Sequence, residues 1–168
     1  MFLKLNKTIS QDDFDIYDLV NTSKPYPEAI PVLTQLLKEG ITNSRNREGI
    51  IRALAVPKSK GKIGSLLIEE FYKTPSDNIL LRWAIGNTME VVISDEDIVD
   101  VIKIVADKSN GISRQMFALA LGKIPSKESE NVLIQVLDDE EIAPHAIEAL
   151  GKLKSRKAKT KILWIKNP

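Results

Sequence analysis

A short motif of small and branched apolar residues recurs four times along this chain, and it constrains the fold more than any other feature. The copies begin at residues 53, 84, 120 and 149, which places them 31, 36 and 29 residues apart. Repeats of this period are typical of stacked helical pairs. The four copies are Ala53-Leu54-Ala55, Ala84-Ile85-Gly86, Ala120-Leu121-Gly122 and Ala149-Leu150-Gly151.

Each copy is followed, after a short polar linker, by a second stretch with the i, i+3, i+4, i+7 apolar spacing of an amphipathic helix. These stretches contain Ile63, Leu66, Leu67 and Phe71; Ile98, Val101, Ile102 and Val105; Val132, Leu133, Val136 and Leu137; and Ile162 with Leu163. An earlier stretch, Ile30, Leu33, Leu36 and Leu37, pairs with residues 12–20. The pattern predicts an all-α chain of about five helix pairs, forming a single domain over residues 1–168. Residues 1–9 are an N-terminal extension, 10–40 a weaker first unit and 43–165 the clear repeats.

Residues around the motifs predict where helices begin and how they pack. Ser10 with Asp13, and Ser94 with Asp97, have the spacing of a capping box with Asp in the usual Glu position. The Ala and Gly of each motif are expected to let the two helices of a pair approach, and Gly122 and Gly151 to lie where a helix ends or packs closely. A bulky residue at Gly122 should therefore destabilise the fold.

An arginine stands six residues before two of the motif copies, Arg47 before Ala53 and Arg114 before Ala120, while Asn78 and Ala143 occupy that position in the other two. In this pattern the chain resembles the HEAT-like repeat superfamily, in the short variety found in bacterial and archaeal proteins and in phycobilin lyase-type repeats. The resemblance implies a right-handed α-α superhelix, or solenoid, with the second helices lining its concave side. It implies less about function, since such repeats serve as scaffolds and regulators and, in a few cases, as enzymes.

Positions on the second helices that the core does not need are the candidate binding surface. A partly apolar stripe with interspersed polar residues is typical of a groove that binds a protein. The alternative interpretation is that Ile68, Ile104 and Ile134 are simply buried by neighbouring layers. The stripe comprises Thr34, Ile68, Lys103, Ile134 and Trp164, with Gln35, Glu69, Ile104, Gln135 and Ile165 beside it.

The charge is nearly balanced overall, with 24 basic and 23 acidic residues, but it is unevenly distributed. Seven basic residues and no acid lie in residues 151–168, which leaves 17 basic and 23 acidic residues in 1–150. The basic end is expected to cap the helical array with lysines facing water. A second hypothesis is nucleic-acid binding or DNA repair, because HEAT-like alkylpurine glycosylases share the architecture; Arg82 beside Trp83 also supports it, although Trp83 is better explained by packing between repeats. The candidate nucleic-acid-binding residues are Lys154, Arg156, Lys157, Lys159 and Lys161.

No set of residues in this sequence predicts catalysis, a metal or a cofactor. There is no cysteine, His145 is the only histidine, and the His-Glu pairs of the family's iron-dependent hydroxylases are missing. His145 is expected at the surface or at a helix cap, although a base assisted by Glu148 remains conceivable. The acidic runs 95–100 and 138–141 are expected to be solvated surface rather than metal sites.

The function predicted is therefore a non-enzymatic module or scaffold that binds an unidentified protein partner in its concave groove. The absence of cysteine, of a secretory signal and of a long apolar stretch favours a cytoplasmic protein with no membrane association.

Overall fold

In a computed structural model that describes residues 15–166, the chain is all-α. Within those residues it forms ten α-helices and four short 3₁₀ segments, with no strand. The helices are α1 (Ile16–Asn21), α2 (Ala29–Glu39), α3 (Ser44–Ala53), α4 (Gly64–Lys73), α5 (Ile79–Val92), α6 (Ile98–Ala106), α7 (Gln115–Leu121), α8 (Lys127–Gln135), α9 (Ala143–Lys152) and α10 (Ala158–Lys166). The 3₁₀ segments are Pro57–Ser59, Asp95–Asp97, Lys108–Arg114 and Val136–Asp138.

The odd-numbered helices form one layer and the even-numbered helices another. Each odd-numbered helix from α1 to α9 contacts the next odd-numbered one, while α2, α4, α6 and α8 each pack on the odd-numbered helix that follows them. Helix α7 is covered by α5, α6 and α9, and every one of its residues except Gln115 is buried. The apolar faces meet in a continuous core along the array. The all-α prediction is thus confirmed for the described part of the chain, but the pairing differs from the predicted one: each even-numbered helix from α2 to α8 packs mainly on the odd-numbered helix after it, not on the motif helix before it.

The recurring motifs lie at the contacts between successive odd-numbered helices. A Cβ atom added to Gly86 would come within 2.8 Å of the Met116 Cβ on α7, and one added to Gly122 within 2.7 Å of the Ala149 Cα on α9. The small residues therefore let one odd-numbered helix approach the next. This corrects the expectation that they bring together the two helices of one pair.

Gly151 departs from the prediction made for it. It lies inside α9, is exposed, and has no atom within 4 Å of the place where a Cβ would stand. It neither ends the helix nor packs closely, because no further odd-numbered helix follows α9 in the described residues.

The two arginines of the repeat pattern tie neighbouring elements together. The Arg47 guanidinium on α3 lies 2.6 Å from the Glu70 carboxylate on α4. Arg114, just before α7, is fully buried, and its guanidinium lies 3.0 Å from the Asp139 carboxylate and 3.1 Å from that of Glu141. These ion pairs join α3 to α4 and α7 to the linker before α9.

Helix α5 carries a different arginine. The Arg82 Nε donates to the Thr74 carbonyl at 3.0 Å, and the guanidinium lies 4.5 Å from the centre of the Phe71 ring. At the position of the pattern's arginine, Asn78 instead accepts from the Leu81 N–H and caps α5. Arg82 is buried while Trp83 is partly exposed. This corrects the interpretation of Arg82 as a possible contact to nucleic acid: its side chain holds the fold together.

The capping box at Ser94 and Asp97 is confirmed: the Ser94 N–H and hydroxyl both donate to the Asp97 carboxylate at 2.9 Å. A further capping box joins Asp15 to Asp18 at the start of α1. The capping box predicted from Ser10 and Asp13 lies outside the described residues.

Candidate functional site

The predicted stripe lies on the even-numbered helices. Thr34 on α2, Ile68 on α4 and Ile134 on α8 are half-buried, and each isoleucine packs against the core with the rest of its side chain accessible. The Thr34 hydroxyl donates to the Ile30 carbonyl at 2.8 Å. Their neighbours in the stripe, Gln35, Glu69, Lys103 and Gln135, are exposed. Trp164 and Ile165 belong to α10, and their side chains lie outside the described set.

On helix α6 the surface position lies one residue earlier than the predicted stripe placed it. Ile104 is fully buried and therefore cannot line a surface. The core positions of α6 are Val101, Ile104 and Val105, so Ile102, which is half-buried, occupies the place held by Ile68 and Ile134. Apolar residues fill so much of 98–105 that spacing alone did not distinguish the buried positions from the exposed ones.

The corrected surface, which we call the isoleucine stripe, consists of Thr34, Ile68, Ile102 and Ile134 on four successive even-numbered helices. Two large exposed side chains flank it: Tyr72 on α4 is 55% exposed and Val99 on α6 is 63% exposed. The Lys103 ammonium lies 2.7 Å from the Asp100 carboxylate, and this hydrogen bond raises the pKa of Lys103, with a smaller contribution from Tyr72.

At its N-terminal end the isoleucine stripe opens into a groove of about 380 Å³ that Thr34 and Gln35 help to line. A second groove, of about 490 Å³, shares Pro27, Ile30 and Lys58 with the first. Neither groove follows from helical spacing, because linker residues form much of both. The signal that could have pointed to them is the alternation of Lys58, Lys60 and Lys62 in a short linker.

The basic C-terminal residues are only partly free. Lys157, just before α10, lies 3.3 Å from the carboxylate of Glu130 on α8, and Lys161 on α10 lies 2.6 Å from that of Asp138 in the 3₁₀ segment after α8. Lys161 is half-buried, which corrects the expectation that the lysines of the cap all face water, whereas Lys157 is exposed as expected. Lys154, Arg156 and Lys159 are exposed and have no ion pair within the described residues.

The remaining titratable groups do not gather into one site, and several of them form ion pairs between elements of the fold. Asp139 and Glu141 hold Arg114, and Asp138 holds Lys161, so the acidic run 138–141 is not merely solvated surface. His145 is half-buried in the first turn of α9, and its Nδ1 is buried without a partner in the described part of the chain. Between residues 15 and 166 no group of three or more His, Cys, Asp or Glu side chains could hold a metal ion.

No protein-family model matches this chain, and no curated protein and no solved structure matches it either. None of the helices in the described region has the length and apolar character that a membrane span requires.

Proposed function

We propose that this chain is a HEAT-like repeat protein that binds a protein partner on the face of its even-numbered helices. In this proposal about five helix pairs form a right-handed superhelix, and the isoleucine stripe lines its concave side. The protein acts in the cytoplasm as a non-enzymatic interaction module or scaffold.

The observation that carries this proposal is the isoleucine stripe. Three isoleucines and a threonine recur at equivalent positions on four successive helices, each partly accessible, between exposed polar side chains. Protein interfaces have this composition, with an apolar centre and a polar rim. Tyr72 supports the assignment, because an exposed tyrosine supplies a large contact area at a small cost in conformational entropy.

The placement of the charged groups supports a binding role over catalysis. The buried charges of Arg114 and Glu70 are committed to ion pairs between helices. His145 has no carboxylate within hydrogen-bonding distance among the described residues, so no acid–base pair of the kind a proton transfer needs is assembled around it.

Site-specific photo-crosslinking in the native host tests the proposal. A photoreactive amino acid placed at Glu69 or Gln135, both exposed beside the isoleucine stripe, should give the same discrete protein adduct. The same amino acid placed at Glu148, which is exposed on α9 among the odd-numbered helices, should not give this adduct. Changing Ile68 and Ile134 to Ser should remove the adduct while circular dichroism shows that the helices are retained.

Adducts of equal yield from both layers, or an adduct that persists in the Ile68→Ser and Ile134→Ser double variant, would contradict the proposal. Recovery of nucleic acid instead of protein at Glu69 and Gln135 would contradict it too.

Nucleic-acid binding or DNA repair is the alternative function, and it is favoured by the exposed Lys154, Arg156 and Lys159, which have no ion pair with any residue that the structure describes. Binding through them should weaken as salt rises, in proportion to the phosphates that are neutralised. Changing these three residues to Glu should abolish a low-salt complex with duplex or single-stranded DNA. If the unmodified protein forms no such complex at micromolar concentration, the alternative fails.

A further inference from the structure

The two grooves at the N-terminal end of the array indicate what kind of partner could bind there. They adjoin, sharing Pro27, Ile30 and Lys58, and together they form one open cleft, which we call the lysine cleft. Its walls are the linker between α1 and α2, the first turns of α2, the end of α3 and the 3₁₀ segment Pro57–Ser59.

The floor and walls of the lysine cleft are apolar and conformationally restricted. Leu19, Val20, Ile30 and Val56 line it, and four prolines, at positions 25, 27, 31 and 57, border it. Proline fixes its own backbone φ angle, so these walls lose little entropy when a ligand binds. The cleft is thus suited to take up apolar side chains of a partner.

Two tertiary hydrogen bonds hold the linkers that form the lysine cleft. The Tyr26 hydroxyl donates to the Ala53 carbonyl at 2.9 Å, which fastens the α1–α2 linker to the end of α3, and burial raises the pKa of Tyr26. The Gly61 N–H donates to the Val92 carbonyl at 3.1 Å. Gly61 has φ +68°, a conformation that favours glycine, so the linker between Lys60 and Lys62 follows a defined path.

The charge of the lysine cleft is of one sign. Within residues 15–166 five cationic side chains line it and no carboxylate does, although residues 1–150 carry more acids than bases. Only Arg52 is compensated, by Glu48 at 2.8 Å; the four lysines have no ion pair in the described residues. The five are Lys24, Lys38, Arg52, Lys58 and Lys62.

We propose that the lysine cleft binds an acidic peptide segment of a partner protein, with the partner's apolar side chains on the cleft floor and its carboxylates against the four uncompensated lysines. This inference rests on the proposed function, that the chain binds proteins, and it names the class of segment bound. An anionic partner fits because its charge is opposite to that of the rim, and rim charges govern association rate and salt dependence. A mainly apolar floor with one aromatic side chain, Tyr26, favours a peptide over single-stranded nucleic acid, which requires a series of stacking surfaces.

The test uses the full chain and a fluorescent peptide of about 12 residues in which glutamates alternate with leucine and phenylalanine. Fluorescence anisotropy should show binding that weakens as the salt concentration is raised toward about 1 M, where the Debye length is only about 3 Å. A matched peptide with glutamine in place of every glutamate, and one with serine in place of every apolar residue, should each bind at least about tenfold more weakly.

Variants localise the binding. Lys58→Glu with Lys62→Glu should reduce affinity for the acidic peptide about tenfold or more, since two attractions become repulsions. Lys73→Glu with Lys103→Glu, an equal charge change on exposed positions of α4 and α6, should leave affinity within about twofold. In ¹⁵N–¹H spectra the peptide should shift resonances of residues 19–31 and 52–63 and leave those of α8 and α9 unchanged.

Equal binding of the glutamine peptide, indifference to the Lys58 and Lys62 changes, or tighter binding of an oligothymidylate of the same length would each overturn the inference. These outcomes are distinct from failure of the proposed function, which the crosslinks at Glu69 and Gln135 test on the isoleucine stripe. A protein adduct there without peptide binding in the lysine cleft would refute this inference alone.

Discussion

The last two copies of the motif are almost identical in sequence and very different in surroundings. Ala120-Leu121-Gly122-Lys123-Ile124 ends α7, whereas Ala149-Leu150-Gly151-Lys152-Leu153 ends α9. Gly122 is buried, with the backbone of Ala149 against it, while Gly151 is exposed and its surroundings are open. The same residue is thus required at one copy and optional at the other. What differs is the neighbour: α7 has another odd-numbered helix stacked on it and α9, in the described residues, has none.

The arginine position repeats this contrast. Arg114, six residues before Ala120, is fully buried between Asp139, Glu141 and the Gly111 carbonyl, to which its Nε donates at 2.8 Å. Ala143, six residues before Ala149, is simply the first residue of α9. Arg114 joins α7 to the linker that leads into the next odd-numbered helix, whereas in the described residues no odd-numbered helix follows α9.

Leucine substitutions at Gly122 and Gly151 should show the largest difference between the two motif copies in the free energy of unfolding. Gly122→Leu forces a side chain against the Ala149 backbone, which cannot move without separating α7 from α9, so we expect a loss of about 3 kcal/mol or more in the free energy of unfolding. Gly151→Leu should not lower it, and should raise it by about 0.5 kcal/mol, because leucine is favoured over glycine in an exposed helical turn. Urea denaturation followed by circular dichroism measures both. Equal losses would show that the helix register described here is wrong.

Removing the buried arginine should have the next largest effect. Arg114→Met leaves the Asp139 carboxylate, whose side chain is 11% exposed, without its cation, and we expect a loss of about 2–3 kcal/mol. Glu141→Gln should cost less than about 1 kcal/mol, because the Glu141 side chain is 52% exposed and water can replace the ion pair. The same urea titration checks both variants. A cost for Glu141→Gln as large as that for Arg114→Met would indicate that Asp139 is not the main partner.

Alanine at the two glycines should give effects of opposite sign. Gly151→Ala lies in an exposed helical turn, where alanine is favoured over glycine, so stability should rise by about 0.5–1 kcal/mol. Gly122→Ala gains the same helix propensity but places its Cβ 2.7 Å from the Ala149 Cα. The cost of overpacking should exceed the gain in propensity, so stability should fall by about 1 kcal/mol. Thermal unfolding should resolve the two shifts. Stabilisation by both substitutions would mean that α9 can move away from α7 at little cost.

The helices themselves could be predicted from sequence because local spacing determines them. Apolar periodicity located the helices, and Ser94 with Asp97 gave a capping box that the structure confirms. Gly86 and Gly122 pack closely, as expected of the small motif residues, whereas Gly151 does not. Which helix they pack against could not be read from the sequence, because Gly122 and Gly151 have the same local context and differ only in tertiary neighbours.

The candidate site was less predictable for two physical reasons. In α6 nearly every residue is apolar, so periodicity could not separate Ile102 at the surface from Ile104 in the core. The lysine cleft depends on Tyr26 reaching the end of α3, a contact between residues 27 apart in the chain. The arginine pattern found Arg47 and Arg114 but not Arg82, which makes a comparable contact from a different position on α5.

The smallest predicted effect concerns the polar contact between α8 and the residues just before α10. It differs in kind from the apolar contact between α7 and α9. Glu130 on α8 accepts from the Ser155 hydroxyl at 2.6 Å and lies 3.3 Å from the Lys157 ammonium. The Ser155 hydrogen bond, followed by Lys157, lowers the pKa of Glu130. A carboxyl whose pKa is lowered on folding stabilises the fold above its ordinary pKa of about 4.3, and the stabilisation is lost as pH falls through the lowered value.

Glu130→Gln should therefore lower the melting temperature at about pH 7 and have a smaller effect at about pH 3, which lies below the ordinary glutamate pKa of about 4.3. Glu128→Gln, an exposed change on the same helix, should alter the melting temperature little at either pH. The loss caused by Gly122→Leu should be the same at both pH values, because no titratable group lies at the contact between Gly122 and Ala149. A pH-independent effect of Glu130→Gln would show that α10 is held to α8 by its apolar residues and that the ion pair at Lys157 contributes nothing.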